Sequence, residues 1–327
     1  MIARSLIARA AAAYVFGYPL VSHLNAVRSQ TTDPSVPCVA PVNLFGHETA
    51  LSNQHDHGVT RNTNTFSSVA QCDVANEPLV LHVLTTGDHD YVMQCIDPWN
   101  NTVASVGRRA TGTQEGLFLF APADWNGHVP DGVTRITTPH TLFTINVHYT
   151  VSGPGDLPAV ARLQDQTWVT PLSRFPEPPS TDGRTLGDWN IAPFNERVME
   201  DLHFWEQLRA WMALFPPPAA DRPLVWSFVP LGLLGGPETY LHADDTLVAV
   251  LTALTTGARA GQAVVETLAT KVVAKPVDGW RSALDAFDDN TDRLELGTIH
   301  GPDRVRQEWG NGRSSNGSRA ADEAEPK

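Results

Sequence analysis

Cysteine is scarce in this chain: Cys38, Cys72 and Cys95 stand alone among 327 residues, with no CxxC pair. An odd, widely spaced set excludes a disulfide framework and a structural zinc site, and leaves buried thiols as the expectation. Long apolar runs are lacking too. Arg4 and Arg9 interrupt the apolar start, and Gly17 and Pro19 break the stretch from Ala10 to Val21. No segment therefore approaches the ~20 apolar residues of a membrane span, and no signal peptide is expected. Positive charge is in deficit, with 23 Lys and Arg against 36 Asp and Glu, a net charge of −13. That excess repels phosphate backbones and anionic lipid, so neither nucleic acid nor membrane is an expected partner. Gly-rich phosphate loops, a GxSxG elbow and a nucleophilic cysteine setting are absent as well. The expectation is a cytoplasmic protein that handles a small molecule without a tightly bound cofactor.

What is present is globular in composition, 42% hydrophobic and 18% charged. Residues 2–17 carry Leu6, Ala10, Ala13, Tyr14 and Gly17 at three- and four-residue intervals, which predicts a helix that Pro19 bends or ends. Prolines between Thr31 and Pro41 predict an extended crossing loop. Short strands follow over about 59–172, with Pro78–Leu84, Tyr91–Ile96, Gly116–Ala121, Val133–Ile136 and Leu142–Val151 the clearest. Turns fall at Thr86-Gly87-Asp88, Trp125-Asn126-Gly127 and Pro130-Asp131-Gly132. In the segment 142–151, Phe143, Ile145, Val147, Tyr149 and Val151 alternate with Thr144, Asn146, His148 and Thr150. The polar set must face away from the core, towards solvent or a pocket. Residues 174–190 read as a linker. An apolar stripe from Phe194 to Met212 predicts a helix capped by Asn195 and stopped at Pro216-Pro217-Pro218, with further helices at 244–256, 258–274 and 279–289. The fold class is α+β: a helical segment over 1–30, an antiparallel β-sandwich or jelly-roll-like body over 31–175, a helical appendage of the same domain over 176–300, and a disordered tail over 301–327.

Six phrases, in order, resemble one family. They are Ala13-Tyr14-Val15-Phe16-Gly17-Tyr18-Pro19-Leu20-Val21, Ile96-Asp97-Pro98-Trp99-Asn100-Asn101 after Tyr91, and Val106-Gly107-Arg108-Arg109-Ala110-Thr111-Gly112. Ala121-Pro122 with Trp125 through Gly132, Gly153-Pro154-Gly155-Asp156-Leu157, and Pro216 through Asp221 complete the set. Together they resemble the bacterial domain of unknown function 1254 over roughly residues 10–282. The resemblance implies a sandwich-like domain with a helical insert and no agreed reaction. Members usually carry a second, C-terminal β-domain, the domain of unknown function 1214, and nothing resembling it is found here. From that follows the expectation of a homodimer, or of a heteromer with a separately encoded related chain, in a biosynthetic setting. Where the family tends to carry Asn-x-Asp-Thr-x-Tyr, this chain has Asn62, Asn64, Thr65 and Ser67; where the family tends to carry an arginine, it has His148. An acid, a phenol and a guanidinium are thereby replaced.

The candidate chemistry follows from these positions. Histidine is the side chain suited to proton transfer near neutrality, and His148 sits on the polar face of a strand, so it is the candidate acid–base group; the alternative is a hydrogen-bonded strand histidine. Asn62 and Asn64, two apart, share a strand face and offer amide donors to a developing anion, or else hold a corner. Arg61, Ser67, Thr65, Asn146, Arg109 and Trp125 are the candidate substrate contacts. Asp97 with Arg108 and Arg109 reads as a structural bridge before it reads as catalysis. His55 and His57 are spaced as metal ligands, but no third ligand is visible at a recognisable spacing, so no metal is expected. An amide-and-imidazole site without a carboxylate suits elimination, hydrolysis or intramolecular displacement on a small, polar, anionic metabolite. The alternative function is a binding or partner module that has lost the family's reactive groups.

Overall fold

The structure, a computed structural model, describes residues 2–48, 65–151, 153–181, 184–187, 191 and 193–273. The predicted helix 279–289 and the tail lie outside them. Helix α1 (Ile2–Thr32) runs on past Pro19, where the sequence predicts a bend or an end. Proline removes the N–H that would bond the carbonyl of Val15, and Val15 lies on the open side of the helix, 50% exposed. Beyond the proline, Leu20, Leu24 and Val27 are fully buried at helical spacing, and their burial carries the second half. By length and composition Ser5–Thr32 is long and apolar enough to cross a bilayer, with a hydropathy of 1.2, which corrects the expectation that no such stretch exists. Core helices share those properties, and in this fold α1 packs against the other helices and the first sheet.

Two sheets pack face to face. The first runs β1 (Phe45–His47), β2 (Thr65–Asp73), β8 (Leu142–Thr150), β4 (Tyr91–Ile96), β5 (Thr102–Gly107), antiparallel throughout. The second runs β7 (Thr134–Thr138), β6 (Gly116–Pro122), β3 (Leu79–Val83), β9 (Trp168–Pro171). Its β6–β7 pair is parallel, an exception to the antiparallel expectation. Phe143, Ile145, Val147 and Tyr149 meet Leu79, Leu81 and Phe120 between the sheets, and the rings of Phe120 and Phe143 stack at 4.6 Å. Cys38, Cys72 and Cys95 are all buried.

The remaining helices are α2 (Leu157–Asp165), α3 (His203–Leu214), α4 (Arg222–Trp226) and α5 (Asp245–Val273). Helix α3 starts eight residues after Asn195, which caps a preceding turn through Arg197 instead. Helix α5 begins where predicted, with Asp244 Oδ1 accepting the Leu247 N–H at 2.9 Å, but continues through Gly257 without a break. Trp205, Trp211, Leu208 and Phe228 form a second core with Leu20 and Leu24 of α1. Trp99, just after β4, belongs to this second core and donates its indole N–H to the Phe215 carbonyl at 2.8 Å.

Candidate functional site

Strand β8 is the middle strand of the first sheet, so its outward side chains define the centre of that sheet's outer face. Burial grades along them. Leu142 and Thr144 are buried, Asn146 and His148 are half-buried, and Thr150 is exposed. The covered end lies under α1. There His23 Nε2 donates to Thr144 Oγ1 at 3.2 Å, that hydroxyl donates to Gln71 Oε1 at 2.5 Å, and the Gln71 amide donates to Gln30 Oε1 at 2.6 Å. This run of bonds assigns the imidazole proton to Nε2 and leaves His23 neutral. Burial pushes its pKa down to about 4.

The open end carries the candidates. Register places His148 between Ser67 of β2 and Val92 of β4, and Asn146 between Val69 and Gln94. Thr65 shares the face one step further out, opposite Thr150. Ser67 Oγ lies 3.4 Å from His148 Nδ1, a loose hydroxyl–imidazole contact of the kind that tightens on a ligand. The backbone of Ser67 is held on both sides. Its N–H donates to Glu48 Oε2 at 3.0 Å, and its carbonyl accepts the Glu48 N–H at 2.9 Å and the Gln164 amide at 3.3 Å. Glu48 thus brings a carboxylate to the residue that touches His148. This corrects the expectation of a site without one. Nothing in the local sequence points to Glu48; it reaches Ser67 only because β1 pairs with β2.

Other candidates fall elsewhere. Asn62, Asn64, Arg61, His55 and His57 lie outside the described residues. Arg109 is exposed in the turn after β5, with no hydrogen bond to the His148 face among the described residues. Trp125 follows β6 in the other sheet, behind the sandwich core. Arg135 covers its ring at 5.3 Å and donates to its carbonyl at 2.8 Å, so Trp125 braces a turn. The expected Asp97–arginine bridge does not form. Buried Asp97 accepts from the Asn101 backbone and amide at 2.8 and 3.2 Å, while Arg108 faces Asp90 at 3.9 Å. Burial raises the Asp97 pKa, and its bonds from Asn101 oppose the rise. Among the described residues, no group of three His, Cys, Asp or Glu is arranged to hold a metal ion.

A sandwich with one sheet face half roofed by helices defines an α+β protein. Residues 42–171, the stretch that contains both sheets, match the family described as "Protein of unknown function (DUF1254)". The match is narrower than the six phrases imply: those in α1 and before α4 lie outside it. The VPA0106 protein from Vibrio parahaemolyticus shares the fold, with a TM-score of 0.56 and 19% identity over 77% of this chain. This chain spans 58% of that one. A putative uncharacterized protein from Burkholderia cenocepacia matches with a TM-score of 0.27 and 13% identity, over 40% of this chain and 36% of that one. No curated protein matches the sequence.

Proposed function

We propose that the open half of the first sheet's outer face is the reaction site of a cofactor-independent enzyme acting on a small polar metabolite. The carrying observation is the convergence of His148, Ser67 and Asn146 on one half-buried face, with the Glu48 carboxylate bonded to Ser67. A neutral imidazole there takes a proton from the substrate, and the Ser67 hydroxyl holds or relays it. The Asn146 amide donates to oxygen that gains charge. A base beside an oxyanion donor suits elimination, hydrolysis or intramolecular displacement. Val92, 45% exposed beside His148, gives the substrate's carbon frame an apolar contact.

Metabolite extracts test the site directly, whatever the substrate is. Small-molecule extracts are incubated with the wild-type chain and with His148→Ala, and consumption is followed by mass spectrometry. Compounds consumed by the wild type should persist with the variant, at rates reduced on the order of 100-fold or more. Equal consumption by both chains rejects this site.

A further inference from the structure

Away from the sheets, helices α1, α3 and α5 enclose a cleft of about 440 Å³. That is within the size range of small-metabolite sites. Two opposite charges line it, Arg259 from α5 and Glu200 from the turn before α3, and neither is ion-paired among the described residues. Its floor is already satisfied: Asn25 and Gln207 exchange amide hydrogen bonds of 3.2 and 3.1 Å. One wall is aromatic. Tyr14 stacks on Phe204 at 4.3 Å, with Tyr18 5.8 Å from Tyr14. The Tyr14 hydroxyl has no hydrogen-bond partner among the described residues and lies in the field of Arg259. Burial raises the pKa of that phenol, so it remains a donor.

We infer that this cleft binds an aromatic amino acid as its zwitterion, its carboxylate to Arg259 and the Tyr14 hydroxyl, its ammonium to Glu200, its ring along Tyr18. A wholly anionic ligand would meet Glu200 and a wholly cationic one Arg259, and like charges brought together are costly. The net charge of −13 also disfavours anion accumulation, whereas a zwitterion is neutral. The half-buried Tyr18 ring, which lines the cleft, suits an aromatic side chain. This site is separate from the His148 face and does not depend on it.

Isothermal titration calorimetry of the full chain tests the assignment with L-tyrosine, 3-(4-hydroxyphenyl)propionate, which lacks the ammonium, and tyramine, which lacks the carboxylate. L-tyrosine should bind with a Kd on the order of 100 µM, and each analogue about 10-fold more weakly, one lost ion pair each. Glu200→Gln should abolish the preference for tyrosine over the propionate, and Arg259→Gln the preference over tyramine. Both side chains are exposed, so neither substitution threatens folding. His148→Ala should bind tyrosine as the wild type does. Absence of saturable heat with all three compounds overturns the inference, as do analogue affinities equal to that of tyrosine or preferences that survive both substitutions.

Discussion

Ser67 shows how much a single side chain can depend on its neighbours. Its hydroxyl faces His148 while its backbone is bonded by Glu48 and Gln164, so the Cα that carries the hydroxyl is held beside His148. Ser67→Ala removes the hydroxyl and spares the backbone bonds; it should lower turnover about 10- to 100-fold with little change in melting temperature. Glu48→Gln keeps an acceptor for the Ser67 N–H but removes the charge. An unchanged rate in both variants, measured on any compound consumed in the extract assay, would remove Ser67 and Glu48 from the chemistry. A second residue-scale prediction concerns stability alone. Glu206 is fully buried and grips Arg209 through two bonds of 2.6 and 2.7 Å, and it also accepts the Asn195 N–H. Glu206→Ala strands a nearly buried guanidinium, whose remaining bond is 3.3 Å to the Gly235 carbonyl. The expected loss is about 3 kcal/mol in denaturant unfolding, well above an ordinary surface change.

Among elements, the short strand β1 is closely hemmed in by backbone. A Cβ placed on Gly46 would run into the backbone carbonyl of Cys38, and a backbone group cannot swing aside as a flexible side-chain end can. Gly46→Ala should therefore push β1 from β2 and cost about 2 kcal/mol by equilibrium unfolding. Because β1 leads into Glu48, the same variant should also lose activity, whereas a stability cost with full activity would uncouple β1 from the site. What each strand packs against decides whether it was readable in the sequence. Strands β3, β4, β6 and β8 announce themselves through apolar runs or alternation, because the sandwich core alone decides which of their residues are apolar. Strand β2 does not, because Ser68 points inward to His47 and Gln164, and Gln71 points outward beneath α1. Its polarity follows tertiary partners instead of the pleat. Helix boundaries failed for a related reason: packing overrides Pro19 in α1 and Gly257 in α5, where local propensity predicts ends. At the site, strand alternation made His148 and Asn146 readable as one face, and the family phrases singled out Thr65 and Ser67; that both pairs share a face comes from the β2–β8 register. Glu48 was not, since its contact depends on a pairing that no spacing rule encodes.

At the scale of the whole molecule, the helical layer and the sandwich are joined through α1, and the junction contains a titratable group. His23 is buried against neutral partners, Thr144 and, through it, Gln71 and Gln30, none of which could hold it protonated. Burial depresses its folded pKa from 6.5 to about 4. Between those values the unfolded chain binds a proton that the folded chain refuses, so stability is complete above about pH 6.5 and falls as pH drops towards 4. The loss amounts to roughly 3 kcal/mol at about 1.4 kcal/mol per pH unit. His47 and His140 are shifted down by burial as well and add losses of the same sign; Asp97, shifted up, opposes them. Substituting His23→Gln keeps an amide donor for Thr144 and removes the titration. Its stability should therefore fall less steeply from pH 6.5 to 4 than that of the wild type, leaving only the slope of the other groups. Denaturant unfolding at four or five pH values measures this directly. Parallel profiles for the two chains would show that protonation of His23 is not what loosens the seam between helix and sheet.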